Sequence, residues 1–315
     1  MKLQELKNNL DDLQLGMTDQ TVSALAGELN DLIAAGGKKF RPGLLFLMGK
    51  VFGVPFQDLK SYARAVELTH LASLIHDDVI DDSDKRRNHP TINAIRDNTT
   101  AILAGDYVLA QVMGELARKN NNELLIDLTT CIKDLADGEW LQYDLKSRPQ
   151  VRFEDLEQIC LKKTGSLIRY CCTTPAKLAG HRDIATMATM GERIGLIFQM
   201  ADDIVDGLTQ SGRPPFQDII NGQLNYVTLK LIELYPDLYR PIYAVKNGET
   251  KDIPWSEEQY LHAIRAVHEV INFEKDKLIS IFSGLCREKN QEEFIPVFEM
   301  TLNKIQSNYV TLLSL

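Results

Sequence analysis

No stretch of this chain stays apolar for the roughly 18 residues that a membrane span needs. The segment from Met1 to Asp12 is polar and amphipathic, unlike a secretion signal. Basic charge is in short supply: 35 Lys and Arg stand against 44 Asp and Glu, a formal net charge of −9. A nucleic-acid surface needs the opposite balance, so nucleic acid is excluded as a main partner. An anionic substrate is not excluded, because metal ions and a few placed cations can bridge to it. Cysteine is sparse, at five residues (Cys131, Cys160, Cys171, Cys172 and Cys286), an odd count with no C-x-x-C spacing. That argues for buried thiols in a reducing compartment rather than a disulfide framework. No pair of histidines has zinc-ligand spacing. Runs of alternating β-branched residues are missing, which argues against a sheet. Pro, Gly and Ser never concentrate into a linker, and no short repeat recurs. The expectation is a soluble, cytoplasmic, all-α protein with no transmembrane segment, built as one domain over residues 1–315. Association with a membrane surface stays open.

What is present is helical periodicity. Apolar residues recur at three- and four-residue spacing near 2–15, 18–35, 43–53, 57–81, 98–119, 121–146, 153–180, 183–208, 222–234, 256–284 and 291–313. Gly36-Gly37 closes one helix and Pro42 suits the first turn of the next. Asn88-His89-Pro90, Ser147-Arg148-Pro149 and Gly212-Arg213-Pro214-Pro215 mark loops. Residues 244–256 read as a looser connection.

Two aspartate clusters share one form. Asp77-Asp78-Val79-Ile80-Asp81 and Asp202-Asp203-Ile204-Val205-Asp206 both read D-D-x-x-D and both end an apolar helical stretch. Residues four apart share a helix face, so each cluster crowds carboxylates at a helix end. Such crowding is unfavourable unless a cation fills the space. Mg²⁺ prefers oxygen ligands and often shares them with substrate phosphates.

Basic and polar residues gather around these clusters. Lys38 and Arg41, in Gly36-Gly37-Lys38-Lys39-Phe40-Arg41-Pro42, stand at a helix start, where free N–H groups and the dipole favour an anion. The P-loop frame is missing there, and a solvated helix junction is the alternative. Arg86 and Arg87 follow the first cluster; they could bind phosphate or simply neutralise neighbouring acids. His70 lies seven residues before Asp77 on nearly the same face, suited either to packing or to a diphosphate contact. His76 could orient an aspartate by a hydrogen bond. Lys163-Thr164-Gly165 interrupts a helical segment, and a mid-helix Gly often marks a kink or a close approach. Gln199, three residues before Asp202, can share its face.

Together these residues resemble the trans-isoprenyl diphosphate synthase family. The ordered set G-G-K-x-x-R-P, H-x₆-D-D-x-x-D, R-R, K-T and F-Q-x-x-D-D-x-x-D covers residues 36–206, with a weaker match to about residue 230. The resemblance implies a bundle of ten or more helices around a central cavity, usually dimeric. The implied reaction joins isopentenyl diphosphate head to tail to an allylic diphosphate such as farnesyl or geranyl diphosphate. Asp77, Asp81 and Asp202 would hold Mg²⁺, three ions with substrate bound, and Asp78, Asp203 and Asp206 would be additional or outer ligands. Arg86, Lys163, Thr164, Gln199 and Arg213 would contact the allylic substrate, with Arg86 and Lys163 close to the chemistry. Lys38, Arg41, His70 and Arg87 would hold isopentenyl diphosphate. A homodimer is implied, or a heterodimer with a small non-catalytic subunit.

The resemblance weakens after the second cluster. Gly212-Arg213 stands where the family often has Gly-Lys. In the stretch from Asp218 to Val227, Gln223, Asn225 and Val227 replace the usual Lys, Thr and Pro. Chain length in the family depends on residues ahead of the first Asp. Here Ser73, Ala72, Thr69 and Val66 lie four, five, eight and eleven residues before Asp77, and all are small or modest. The implied product is C25 or longer, best C30–C35; a geranylgeranyl-type short chain, or a subunit active only with a partner chain, is the alternative. A terpene cyclase shares one such cluster but usually lacks the second and the Lys38/Arg41 set.

Overall fold

The computed structural model describes residues 2–13, 15–16, 23–34, 39–86, 89–208, 215–289 and 291–313. Among them helices dominate, as the periodicity predicts. In chain order they are α1 (Lys2–Asp11), α2 (Ser23–Ala34), α3 (Phe40–Phe52), α4 (Phe56–Ile80), α5 (Ile92–Ile95), α6 (Asn98–Ala117), α7 (Asn122–Ser147), α8 (Phe153–Cys160) and α9 (Ser166–Leu178). There follow α10 (Ile184–Asp206), α11 (Gln217–Ile220), α12 (Tyr226–Leu234), α13 (Tyr239–Lys246), α14 (Glu257–Glu288) and α15 (Ile295–Leu313). Among the described residues, no helix is long and apolar enough to cross a membrane. The sheet content is one ladder of β1 (Lys85–Arg86) with β2 (His89–Pro90), antiparallel, pairing Lys85 with Pro90 and Arg86 with His89.

Helix starts follow their capping residues. The side chain of Asp97 accepts the Thr100 N–H at 2.6 Å, and that of Asn225 accepts the Thr228 N–H at 3.0 Å. Ser256 and Gln259 form a reciprocal capping box at the start of α14. The expected helix at 222–234 therefore begins later, at Tyr226, because Gly222 turns at φ 81° and Asn225 serves as the cap. α13 was not expected: it falls partly in the stretch read as a looser connection, and Pro241 is tolerated because it sits in the first turn. Gly36-Gly37 lies outside the described residues.

The chain divides into two compact units, Met1–Ile132 with Tyr170–Ala188, and Lys133–Arg169 with Thr189–Leu315. In the first, α4 packs against α3 and α6. Leu44, Leu45, Met48, Leu59, Ala63, Val66, Ala104, Val108 and Val112 are buried there. Full burial of a Leu or Val side chain contributes about 1.5–3 kcal/mol. Gly105 permits the approach of α6, since a Cβ there would stand 2.2 Å from His76 Nε2. His76 meets the Ile102 carbonyl at 3.1 Å and the Asp106 carboxylate at 3.5 Å, so it turns toward α6 and not onto the aspartates of its own helix.

In the second unit, α12 and α15 pack on α14, with Phe282 stacked on Phe298 at 4.0 Å between ring centroids. The buried Lys246 ammonium donates to the Lys146 and Arg148 carbonyls at 2.8 and 3.2 Å. It thereby covers the negative end of α7, while burial lowers its pKa.

A directed polar chain joins α14 to α15. Lys275 can only donate, and it donates to Gln306 Oε1 at 2.8 Å. Gln306 Nε2 must then donate to Asn272 Oδ1 (2.8 Å), and Asn272 Nδ2 to His268 Nε2 (3.0 Å). That leaves the His268 proton on Nδ1, donated to Tyr309 Oη at 3.0 Å. A second proton on Nε2 would face the Asn272 N–H. Burial lowers the His268 pKa, and Lys275 lowers it further against the opposing effect of Glu269. The folded state therefore prefers the neutral ring. Its contribution is complete above the ordinary imidazole value of 6.5 and is lost as the pH falls below it. Melts at about pH 7.5 and about pH 5.5 should show a larger loss of Tm for the wild type than for His268→Gln, which cannot titrate. Equal losses would remove His268 from the acid sensitivity.

Candidate active site

The first cluster closes α4. Asp77 and Asp78 lie in its last turn and Asp81 is the residue just beyond it. The chain then leaves through Asp82, which takes the left-handed conformation at φ 50°. Ser83 N bonds to Asp78 O at 2.9 Å, completing a Schellman-type ending that folds the chain back into β1 and β2. This return brings Arg86 onto Asp78. Its Nε lies 3.0 and 3.1 Å from the two carboxylate oxygens, and Nη2 lies 2.8 Å from Oδ1. Asp78 is buried, so Arg86 neutralises a neighbouring acid here. Asp77 is half-buried and Asp81 exposed.

The second cluster ends α10, with Asp206 as its last residue. Asp202 is exposed, Asp206 half-buried and Asp203 buried. The Asp203 carboxylate accepts from Gln199 Nε2 and from Tyr226 N, both at 2.9 Å. Tyr226 N belongs to the first turn of α12, where helix N–H groups need acceptors. Burial pushes the Asp203 carboxyl well above the usual range, and Asp218 and Asp202 add to this against the two hydrogen bonds. Gly207 follows directly, so close to Tyr260 that a Cβ would stand 1.9 Å from its hydroxyl. Tyr260, Phe216 and Trp255 form one aromatic cluster, with centroids 5.0–5.7 Å apart.

Both clusters therefore place acids at helix C-termini, where the dipole disfavours them, and neither last turn holds a basic residue. The donors are carboxylate oxygens only, the hard set that suits Mg²⁺. Among the described residues no three His, Cys, Asp or Glu converge into a cage. Pairs of carboxylates that leave the remaining positions to water and phosphate fit Mg²⁺ better than a cage would. Asp77 with Asp81, and Asp202 with Asp206, have that spacing. Asp78 is held by Arg86 and Asp203 by Gln199 and Tyr226, and Asp206 Oδ1 accepts the Asp218 N–H at 3.4 Å.

The expected kink at Lys163-Thr164-Gly165 is a π-helical segment over Leu161–Gly165, between α8 and α9. It is admitted by glycines on α10: a Cβ on Gly195 would stand 2.5 Å from Gly165 Cα. Thr164 Oγ1 bonds to Gln199 Oε1 at 3.1 Å, so Thr164, Gln199, Asp203 and the start of α12 form one continuous line. Lys163 pairs with Glu139 of α7 and donates to Gln142 Oε1 at 2.9 Å. Gln142 Nε2 in turn donates to Gln223 Oε1 at 2.7 Å. Glu139 and Gln142 were not picked out in the sequence. Their only signal is the Gly138-Glu139-x-x-Gln142 pattern, with two polar residues one turn apart beside a glycine.

Of the remaining expected residues, Arg41 lies in the first turn of α3, and His70 is half-buried two turns before Asp77 on α4. Lys38, Arg87 and Arg213 lie outside the described residues. The four expected wall residues do not behave alike. Val66, Thr69 and Ala72 are fully buried. Ser73 is half-buried, its hydroxyl turned to the His70 carbonyl at 2.9 Å. The Thr69 hydroxyl is buried without a hydrogen-bond partner among the described residues. Thr69→Val should therefore raise stability by about 1 kcal/mol. A fall in Tm on that change would show that the hydroxyl is in fact satisfied.

A family description, polyprenyl synthetase, matches residues 22–262. The short chain isoprenyl diphosphate synthase of Methanothermobacter thermautotrophicus is 30% identical over 292 residues, covering 86% of this chain and 89% of its own. Solanesyl-diphosphate synthase 1 of rice, a mitochondrial protein, is 34% identical over 242 residues, covering 70% of this chain and 56% of its own. The crystal structure of a polyprenyl synthase from Caulobacter crescentus, complexed with calcium and isoprenyl diphosphate, superposes with a TM-score of 0.76 at 23% identity. It covers 95% of this chain and 94% of its own. The fold is that of the isoprenyl synthases.

Proposed function

The chain belongs to the polyprenyl synthetase family and is a trans-polyprenyl diphosphate synthase, a transferase; on that premise we propose which residues do what, and how long the product grows. The observation that carries the reading is the pair of aspartate clusters at the C-terminal ends of α4 and α10, with no basic residue in either last turn. We assign Asp77 in the last turn of α4 and Asp81 just beyond it, with Asp202 and Asp206 on α10, to three Mg²⁺ ions shared with the allylic diphosphate. When bound, the ions supply Lewis acidity to the leaving diphosphate. Asp78 and Asp203 support their neighbours from the positions that Arg86, Gln199 and Tyr226 give them. This assignment requires the two units to act as one synthase domain over residues 1–315.

The remaining roles belong to the chain's own groups. Lys163, Thr164, Gln199, Arg86 and Arg213 hold the allylic diphosphate; Arg86 does so while sharing its charge with Asp78. Lys38, Arg41, His70 and Arg87 hold isopentenyl diphosphate. Cleavage of the allylic C–O bond releases diphosphate, which takes the electron pair, and leaves an allylic cation, which needs an oriented, water-excluded pocket. The isopentenyl double bond attacks that cation, and a proton is lost to the released diphosphate. No protein base is required.

For product length we propose C25 or longer, best C30–C35, with Val66, Thr69, Ala72 and Ser73 as the wall. The covered state of the first three residues favours a second reading, a geranylgeranyl-type product, with Ser73 as the one wall residue that is partly exposed. We propose a homodimer, with a heterodimer including a small non-catalytic subunit as the alternative, in the cytoplasm. The test is to incubate the purified full chain with farnesyl diphosphate, labelled isopentenyl diphosphate and Mg²⁺, and to size the products. Label in C30–C35 chains supports the reading. A C20 end product overturns the long-chain part, and no incorporation by the chain alone overturns the homodimeric enzyme.

A further inference from the structure

The π-helical segment, and what lies against it, carry one step more. A π turn adds a residue to a helix and weakens its hydrogen bonding, so it persists where surrounding structure over-determines it. Here α7 does so through Gly138. A Cβ at Gly138 would stand 2.7 Å from Lys163 Cγ, 2.9 Å from Lys162 Cβ and 3.0 Å from Lys163 N. Glycine in the middle of a helix costs about 1 kcal/mol relative to alanine, so the close approach has a use. Its result is that Lys163 reaches Glu139 and Gln142, one turn apart on the same helix.

We propose that Gln142 is a positioning residue for prenyl transfer, holding the Lys163 ammonium at a fixed point while Gln223 holds Gln142. The inference rests on the reading of Lys163 as a contact to the allylic diphosphate. Lysine has three ammonium donors on a flexible stem, and ordering that stem consumes binding energy. Gln142 takes one of the donors, and Glu139 pairs with the charge. A phosphate oxygen would accept from a donor that Gln142 does not use. Gln142 orders the ammonium without cancelling its charge, as a second carboxylate would.

The orientation of Gln142 is forced. Lys163 only donates, so Oε1 of Gln142 must face it and Nε2 must face Gln223. Gln223 offers Oε1 at 2.7 Å, and its own backbone N–H is tied to Asp218 O at 2.8 Å. An uncharged residue at 223 is what this arrangement needs. A second ammonium there would compete with Lys163 for the same amide oxygen.

The test uses the full chain and Gln142→Met, which keeps the length and loses both hydrogen bonds. The KM for farnesyl diphosphate, and its Kd by calorimetry, should rise about tenfold. The KM for isopentenyl diphosphate should not move. In a Lys163→Ala background, Gln142→Met should add nothing further to either constant. Gln223→Met should raise the farnesyl diphosphate constants by a smaller factor. Unchanged constants in Gln142→Met, equal rises for both substrates, or an additive effect in the Lys163→Ala background would overturn the proposal. A wild-type chain that binds farnesyl diphosphate but transfers nothing would sink the function and leave the positioning to be judged on Kd alone.

Discussion

Asp77→Asn should lower turnover with Mg²⁺ by about a thousandfold and leave the metal-free protein no less stable. The first effect follows from removing one anionic oxygen from a site that must neutralise a departing diphosphate. A loss of about 4 kcal/mol of transition-state stabilisation is a factor of about a thousand. The second follows from where Asp77 sits. It lies in the last turn of α4, beside Asp78 and one turn from Asp81, with no basic residue in that turn. A negative charge there is opposed by the dipole by about 0.3–1 kcal/mol, so neutralising it offsets what the substitution loses. Asp78→Asn should behave in the opposite manner. It leaves the half-buried Arg86 guanidinium short of its buried partner and should cost on the order of 2 kcal/mol in stability. Thermal melts with and without Mg²⁺, run beside steady-state assays, separate the two. Full activity in Asp77→Asn would refute the metal assignment, and a stability loss equal to that of Asp78→Asn would refute its place at the helix end.

Gly195→Ala should be among the most destabilising single-methyl changes in the second unit. The added Cβ would stand 2.5 Å from Gly165 Cα and 2.8 Å from its N, and neither is a side chain that can swing away. α10 and the π segment must separate, at about 3 kcal/mol, which lowers Tm by about 5 °C or more. The same separation pulls Thr164 away from Gln199, now bonded at 3.1 Å, so affinity for the allylic diphosphate should fall as well. Gly284→Ala is the control. Gly284 lies inside α14 with nothing within 4 Å of its would-be Cβ, so alanine there should stabilise by up to about 1 kcal/mol. Opposite signs for the same chemical change would tie the effect to the close approach. Matching signs would remove it.

Much of the fold was legible because local chemistry decides it. α4 was expected at 57–81 and runs Phe56–Ile80, since its apolar spacing is sustained and Pro55 precedes it. α14 begins where Ser256 and Gln259 cap it. The aspartate clusters were legible for a similar reason: five consecutive residues fix their own geometry once a helix is granted. Other features were not. Arg86 reads equally well as a phosphate ligand or as a neutralising charge, and only the turn at Asp82 returns it to Asp78. Gly165 signals an irregularity but not a π turn, which depends on Gly195 meeting it. Glu139 and Gln142 look like any polar pair on a helix until Lys163 is placed between them.

The sequence by itself determined the all-α class, the places of the long helices and the presence of two acidic helix ends suited to a cation. Those depend on periodicity, caps and contiguous residues, all short-range. The tertiary structure alone decided that Arg86 holds Asp78, that Gln199 and Tyr226 hold Asp203, and what holds Lys163. It also showed that Val66, Thr69 and Ala72 lie covered while Ser73 does not. Each of these turns on two segments distant in the chain approaching within a few ångströms, and a residue's type and spacing do not carry that information.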